Sequence, residues 1–233
     1  MSNTNFKTKW INSTKVKQMD VINKLINGNR EWVEDQLEID KDYFQRLSQG
    51  QEPDSLWIGC ADSRVPASEV TRTKPGEMFE HRNIANMVVH SDMNLLSVLD
   101  YAVNALRVKH VIVCGHYLCG GINAAMGNRQ NGLVDNWIRH IKDVYRLYEN
   151  ELEAIEDKRQ RFDRFVEVNV YEQVFDLSKT SIIQNAWAER NEPKIHGWVF
   201  DIRTGLIKDL NITFDNQTQL PSIYKIDSEV VRK

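Results

Sequence analysis

Residues 91–121 read SDMNLLSVLDYAVNALRVKHVIVCGHYLCGG. Ser91 and Asp92 are residue types that cap helices, and Leu95, Leu99, Ala102, Val103 and Leu106 then recur on one helical face. Val108 to Cys114 follows as the clearest strand, its run Val111-Ile112-Val113-Cys114 apolar, largely β-branched and closed by Gly115. Upstream, Glu77 to His81 offers another strand, so the region reads strand, helix, strand. A right-handed crossover of that length makes the two strands parallel and brings their C-terminal ends to one edge of a sheet. Open α/β sheets build their sites at that edge.

The rest of the chain extends the pattern. Leu56, Trp57 and Ile58 form a short apolar run behind Pro53 and end at Gly59-Cys60, which predicts a buried strand with Cys60 at its C-terminal end. Val134, Trp137, Ile138, Ile141, Val144, Tyr145 and Tyr148 describe a long amphipathic helix, with further helices through Val166 to Ala188. Ile195 to Ile202 and Leu206 to Phe214 flank Arg203-Thr204-Gly205 and read as a hairpin that extends the sheet. From Asp20 to Ser48, apolar residues at helical spacing predict two helices broken around Asn27, Gly28 and Asn29. The expectation is one α/β domain over residues 1–233: a mixed, mainly parallel sheet flanked by helices, with a helical arm at 1–50, a core at 51–215 and a tail at 216–233.

Composition excludes several function classes. Thirty Lys and Arg against thirty-three Asp and Glu leave a net charge of -3, so there is no overall positive field to hold nucleic acid or an anionic membrane. A hydrophobic fraction of 41% with 27% charged residues is the balance of a globular chain rather than a disordered one. No stretch approaches the roughly 18 apolar residues of a membrane span, and Met1 to Asp20 lacks the apolar core of a signal peptide. A soluble, cytoplasmic protein is expected. Three cysteines are too few for a disulfide framework, so each must be core, nucleophile or metal ligand.

Two short segments carry chemistry: Cys60-Ala61-Asp62-Ser63-Arg64, and Gly115-His116-Tyr117-Leu118-Cys119-Gly120-Gly121 directly after the strand run. If Cys60 and His116 end parallel strands at one edge, two thiolates and an imidazole converge. Zinc fits that donor set, and three protein ligands leave a fourth position open, which is the arrangement of a catalytic ion. A phosphatase-like use of Cys60 fails, because Arg64 is too close to the cysteine and Asp62 would repel a phosphate. A Cys-His pair of protease type would leave Cys119, Asp62 and Arg64 without a task. Asp62 has two possible positions. Bound to the ion it closes the site, whereas paired with Arg64 it stays an acceptor-only carboxylate that can orient a zinc-bound hydroxide. Cys114, inside the strand, is assigned to the core, and His81 and His196, bordering apolar strands, to structural roles.

With these two motifs, and His81-Arg82-Asn83-Ile84-Ala85-Asn86 between them, the chain resembles the β-class carbonic anhydrases from Ile22 through the strand at Ile195 to Trp198. The resemblance implies one zinc ion per chain on Cys60, His116 and Cys119, with Asp62 as a conditional fourth ligand. It implies Asp62 and Arg64 as the catalytic dyad, and reversible hydration of carbon dioxide to bicarbonate and a proton by attack of zinc-bound hydroxide. It further implies a substrate pocket involving Gln51, Phe79, Tyr101 and Gly120, and a homodimer or homotetramer whose N-terminal helices pack on a partner subunit. Like the bacterial-type members that hold an inhibitory bicarbonate, the chain has Trp57 and Arg82. The tyrosine of that regulatory site is Phe200 here, and without the hydroxyl the regulation is expected to weaken. Two other readings stay open: a hydrolase of carbon disulfide or carbonyl sulfide on the same scaffold, and a non-catalytic zinc-binding protein. Against the second stands the intact Asp62 and Arg64 pair, which a structural zinc does not need.

Overall fold

The computed structural model describes residues 5–227, so the last six residues of the expected tail lie outside it. The chain divides into two compact units, Met1–Gly50 and Gln51–Lys233. The first holds α1 (Asn5–Ile39) and α2 (Tyr43–Leu47). The expected break at Asn27 to Asn29 is absent, and α1 runs through it to Ile39. One interior glycine costs a helix only about 1 kcal/mol, too little to interrupt one with good helix formers on both sides. The break falls instead at Asp40, whose carboxylate accepts the Asp42 N–H at 3.1 Å and offers the backbone an alternative to the helix.

The second unit is built on five strands: β1 (Ser55–Cys60), β2 (Met78–Asn83), β3 (His110–His116), β4 (Lys194–Asp201) and β5 (Leu206–Phe214). Their order in the sheet is β2-β1-β3-β4-β5. All neighbours are parallel except β4 and β5, the expected hairpin. The sheet is therefore mixed and mainly parallel. The two strands first read as a crossover pair, β2 and β3, are parallel but not adjacent, because β1 pairs with both. Between β2 and β3 lies α4 (Met93–Asp100), which continues into a π-helical turn at Tyr101–Ala105. Asp92 caps α4 as expected, accepting from the Asn94 and Leu95 N–H groups. The other helices are α3 (Ala67–Thr71), α5 (Gly120–Ala125), α6 (Asp135–Leu147), α7 (Glu149–Glu153), α8 (Lys158–Ser178) and α9 (Ser181–Arg190).

Alternation along the strands divides the interior. Leu56, Ile58, Val111, Val113, Ile195 and Val199 join a large cluster with side chains of α4, α6, α8 and α9, among them Leu99, Ile141, Phe165 and Ile183. Each fully buried side chain of this size contributes roughly 1.5–3 kcal/mol. Trp57, Ile112, Cys114 and Phe200 turn the other way and meet Val65 and Ala67 in a smaller cluster. Cys114 is thus core, and burial pushes its thiol far up. Gly59 is required here, because a Cβ on it would fall 2.3 Å from the Trp57 indole nitrogen.

One turn departs from easy backbone geometry. After β2, the 3-10 turn Ile84–Asn86 places Ala85 at φ 63° and Asn86 at φ 48°. Left-handed geometry costs a residue with a Cβ about 1–2 kcal/mol, so the surroundings must hold it. No helix among the described residues is long and apolar enough to cross a membrane.

Candidate metal centre

The register of the sheet brings the two motifs together. Gly59 pairs with Cys114, so Cys60 at the end of β1 and His116 at the end of β3 share one edge. Cys119 follows three residues later as the residue that precedes α5, whose Gly121 and Ile122 N–H groups face its sulfur. One donor atom from each of Cys60, His116 and Cys119 lies within 4.8 Å of the others, and all three residues are buried. Among the described residues this is the one group of three such donors.

The donors fit a tetrahedral ion. The two sulfurs are 3.9 Å apart. Two thiolates 2.3 Å from one zinc at a tetrahedral angle would be separated by about 3.8 Å. His116 Nδ1 lies 3.0 Å from the Tyr117 carbonyl, which can only accept, so Nδ1 carries the proton and Nε2 keeps its lone pair. That Nε2 is buried with no hydrogen-bond partner, a costly state that a metal ion would relieve. The sulfur pair holds its protons unequally. Contact with Cys119, then with His116 and the Ala85 N–H, draws Cys60 toward the thiolate, while the Cys60 sulfur and burial push Cys119 up. One of the two is thus already prepared to be a metal ligand.

Asp62 takes the second of its two possible positions. Arg64 Nε donates to Asp62 Oδ1 at 2.9 Å and Nη2 to Oδ2 at 2.7 Å, and the Arg64 N–H adds 3.0 Å to Oδ1. These donors hold the carboxyl well below the usual carboxylate range. Asp62 Oδ2 is 3.7 Å from His116 Nε2, beside the donor set and outside it.

Arg82 does something the sequence did not suggest. Its guanidinium donates to the Cys60 carbonyl through Nε at 3.0 Å and Nη2 at 2.9 Å, to the Asp62 carbonyl at 2.6 Å and to the Val65 carbonyl at 2.9 Å. It clamps the loop that carries Cys60, Asp62 and Arg64. Trp57 is buried 6.3 Å from Trp198, and Phe200 packs in the same small cluster.

Of the expected pocket residues, Gly120 adjoins Cys119, whereas Gln51, Phe79 and Tyr101 are not gathered around Cys60 of their own chain. Phe79 and Tyr101 are neighbours, with ring centroids 5.8 Å apart. Phe79 pairs with Leu56, four residues before the pairing of Cys60 with Asn83. At roughly 3.3 Å per residue that sets it about 13 Å back along the strands. Tyr101 is 49% exposed and Gln51 is exposed just before β1. Gly120 opens α5 next to Cys119, with open space where a side chain would begin. Residue typing also missed the Tyr117 carbonyl, the Ala85 N–H and two buried amides on α8, Asn169 and Gln173. The last two left a readable signal: polar residues four apart amid Val166, Val168, Val170 and Val174.

Comparison with known proteins gives consistent results. The family model described as carbonic anhydrase matches residues 55–207. A carbonic anhydrase of Emericella nidulans is 49% identical over 191 residues, 82% of this chain and 84% of that protein. A structure described as a tetrameric β-carbonic anhydrase from Sordaria macrospora superposes with a TM-score of 0.80 at 37% identity, covering 84% of this chain and 99% of that one. The Coccomyxa β-carbonic anhydrase, solved in complex with acetazolamide, gives a TM-score of 0.80 at 35% identity over 84% of this chain and 88% of its own.

Proposed function

Since the chain belongs to the β-carbonic anhydrase family, whose members hydrate carbon dioxide, we propose that Cys60, His116 and Cys119 hold one zinc ion and that Asp62 and Arg64 direct the reaction beside it. The observation that carries this reading is the buried, unpartnered His116 Nε2 facing two sulfurs 3.9 Å apart. Zinc there supplies a Lewis acid that makes water acidic near neutral pH. Asp62, kept ionised by Arg64, accepts a hydrogen bond from the attacking oxygen and so turns a lone pair toward the carbon of carbon dioxide. Arg64 donates to both Asp62 oxygens and holds the carboxylate away from the donor set. Arg82 fixes the loop carrying that pair through three carbonyls. Water and carbon dioxide leave as bicarbonate and a proton, which makes the enzyme a lyase.

The pocket wall is supplied by a second copy of the chain, through its Gln51, Phe79 and Tyr101. This is supported by the 13 Å set-back of Phe79, about four strand residues, and by the outward-facing Tyr101. Val21, Ile22, Leu25 and Ile26 on α1 are each about half exposed or more, an apolar stripe that suits packing on a partner. Stopped-flow hydration by metal-quantified protein tests the whole reading. Turnover should track zinc content up to one ion per chain, and full zinc with no hydration at any pH would refute it.

Bicarbonate regulation is the weaker part of the family pattern here. Phe200 carries no hydroxyl, and the Arg82 guanidinium is already engaged with three carbonyls. Inhibition by bicarbonate should therefore follow a simple single-site curve. A steep, cooperative curve in a bicarbonate titration would restore a regulatory site at Trp57 and Arg82.

A further inference from the structure

We propose that the left-handed turn Ile84–Asn86 is a common buttress for all three metal-donor segments, and that Asn169 and Trp137 are positioning residues that hold it in place. The inference rests on the reading of Cys60, His116 and Cys119 as a metal centre.

The turn meets each donor segment separately. The Ala85 N–H donates to Cys60 Sγ at 3.4 Å. Ile84 and Ala85 press on Gly121, two residues after Cys119: a Cβ there would lie 2.8 Å from Ile84 Cγ2 and 3.2 Å from Ala85 Cβ. Asn86 packs beside Gly115, which precedes His116, and a Cβ on Gly115 would lie 3.5 Å from Asn86 Oδ1. The turn therefore sets the height of α5 above β3 and aims one hydrogen bond at a ligand sulfur. The turn is tight against Gly121, whereas at Gly115 the tightest neighbour is Val170 of α8 at 2.7 Å and Asn86 makes an ordinary contact.

Side chains from two helices hold the turn itself. Trp137 Nε1 of α6 donates to the Ile84 carbonyl at 2.8 Å, and Asn169 Nδ2 of α8 donates to the Ala85 carbonyl at 3.2 Å. Gln173 Nε2 donates to Asn169 Oδ1 at 3.4 Å, and Gln173 Oε1 accepts the Val88 N–H at 2.7 Å. Asn83 closes the far side, accepting from the Met87 N–H and donating to the Met87 carbonyl, both at 2.8 Å. Asn169 and Gln173 are 1% and 0% exposed. Their neighbours Val166, Val170 and Val174 are buried apolar residues, so packing alone gives no reason to sink two amides there. Holding a left-handed turn against the donor segments gives one.

The test uses the zinc-loaded full chain with a competing chelator, and the cobalt-substituted protein for its sulfur-to-metal absorption band. Asn169→Leu removes the donor to Ala85 and leaves Gln173 Nε2 unpaired. Trp137→Phe removes the indole N–H and part of the ring at a half-buried position, and should fold. Both should weaken metal retention by roughly 10–100-fold, the size usual for partners behind a ligand, and shift the cobalt band. Ile183→Ala, a cavity in α9, should lower the melting temperature while leaving metal release and the cobalt band as in the wild type. Wild-type retention and an unshifted band in Trp137→Phe would overturn the inference, whether or not Asn169→Leu folds. So would release from Ile183→Ala as fast as from Trp137→Phe, which would reduce the effect to general loosening. A wild-type protein that retains no metal at all would instead overturn the metal centre itself.

Discussion

His116→Ala should lose its metal and, with it, hydration activity. The imidazole is fixed from behind by the Tyr117 carbonyl, and its Nε2 is the one nitrogen donor facing the two sulfurs. Alanine leaves Cys60 and Cys119 alone, two sulfur donors 3.9 Å apart where a catalytic zinc takes three protein ligands. Among the described residues no second cluster of three donors exists to take the metal over. Losing Lewis acid and nucleophile together should lower kcat/KM by about 10⁴-fold or more. Metal analysis beside stopped-flow hydration, with circular dichroism to show the variant folded, checks it. One zinc ion retained per folded chain would remove His116 from the donor set.

Asp62→Asn should behave differently: the metal stays and turnover goes. The substituted side chain would keep one oxygen for the Arg64 N–H groups but point an amide at the guanidinium or at the reacting oxygen, where an acceptor is needed. A loss on the order of 10²-fold or more in kcat, with zinc content unchanged, is the expected result. Near-normal turnover would dismiss the orienting role. A second signature separates this change from simple damage. Asp62 has a folded pKa depressed first by the Arg64 side chain, so the stability it contributes is present above the unfolded value of about 3.9 and is lost as pH falls through the folded one. The stability gap between wild type and Asp62→Asn should therefore be open at neutral pH and close in strong acid, as denaturation at a series of pH values would record.

The donor set was legible in the sequence because Cys and His are scarce and chemically specific, and because parallel strands place Cys60 and His116 at one edge whatever the loops do. Strand positions followed from apolar runs, and the Asp92 cap from its residue type. Other parts left weaker marks. The path of α1 through Gly28 depends on a balance of about 1 kcal/mol that pattern reading resolves poorly. Arg82 was singled out by the family resemblance alone, because residue type shows a charge and not the three carbonyls around it. The turn at Ala85 acts through a backbone N–H, which every residue except proline carries, so no letter marks it. Phe79 and Tyr101 are readable as aromatic positions, but whether a second copy brings them to a site is a matter of quaternary arrangement.

The dependence of the donor segments on α8 also bears on how the enzyme is made. Synthesis delivers Cys119 fifty-four residues before Gln173, and β4, which completes the parallel part of the sheet, ends later still at Asp201. At roughly 5–20 residues per second, about 3 to 11 seconds of translation separate the last candidate donor from the last of the side chains that hold its turn. For that interval the growing chain carries all three candidate donors without the framework that spaces them. On the proposed metal reading, secure loading belongs to the end of synthesis or after it, and until then the donor thiols are open to oxidation.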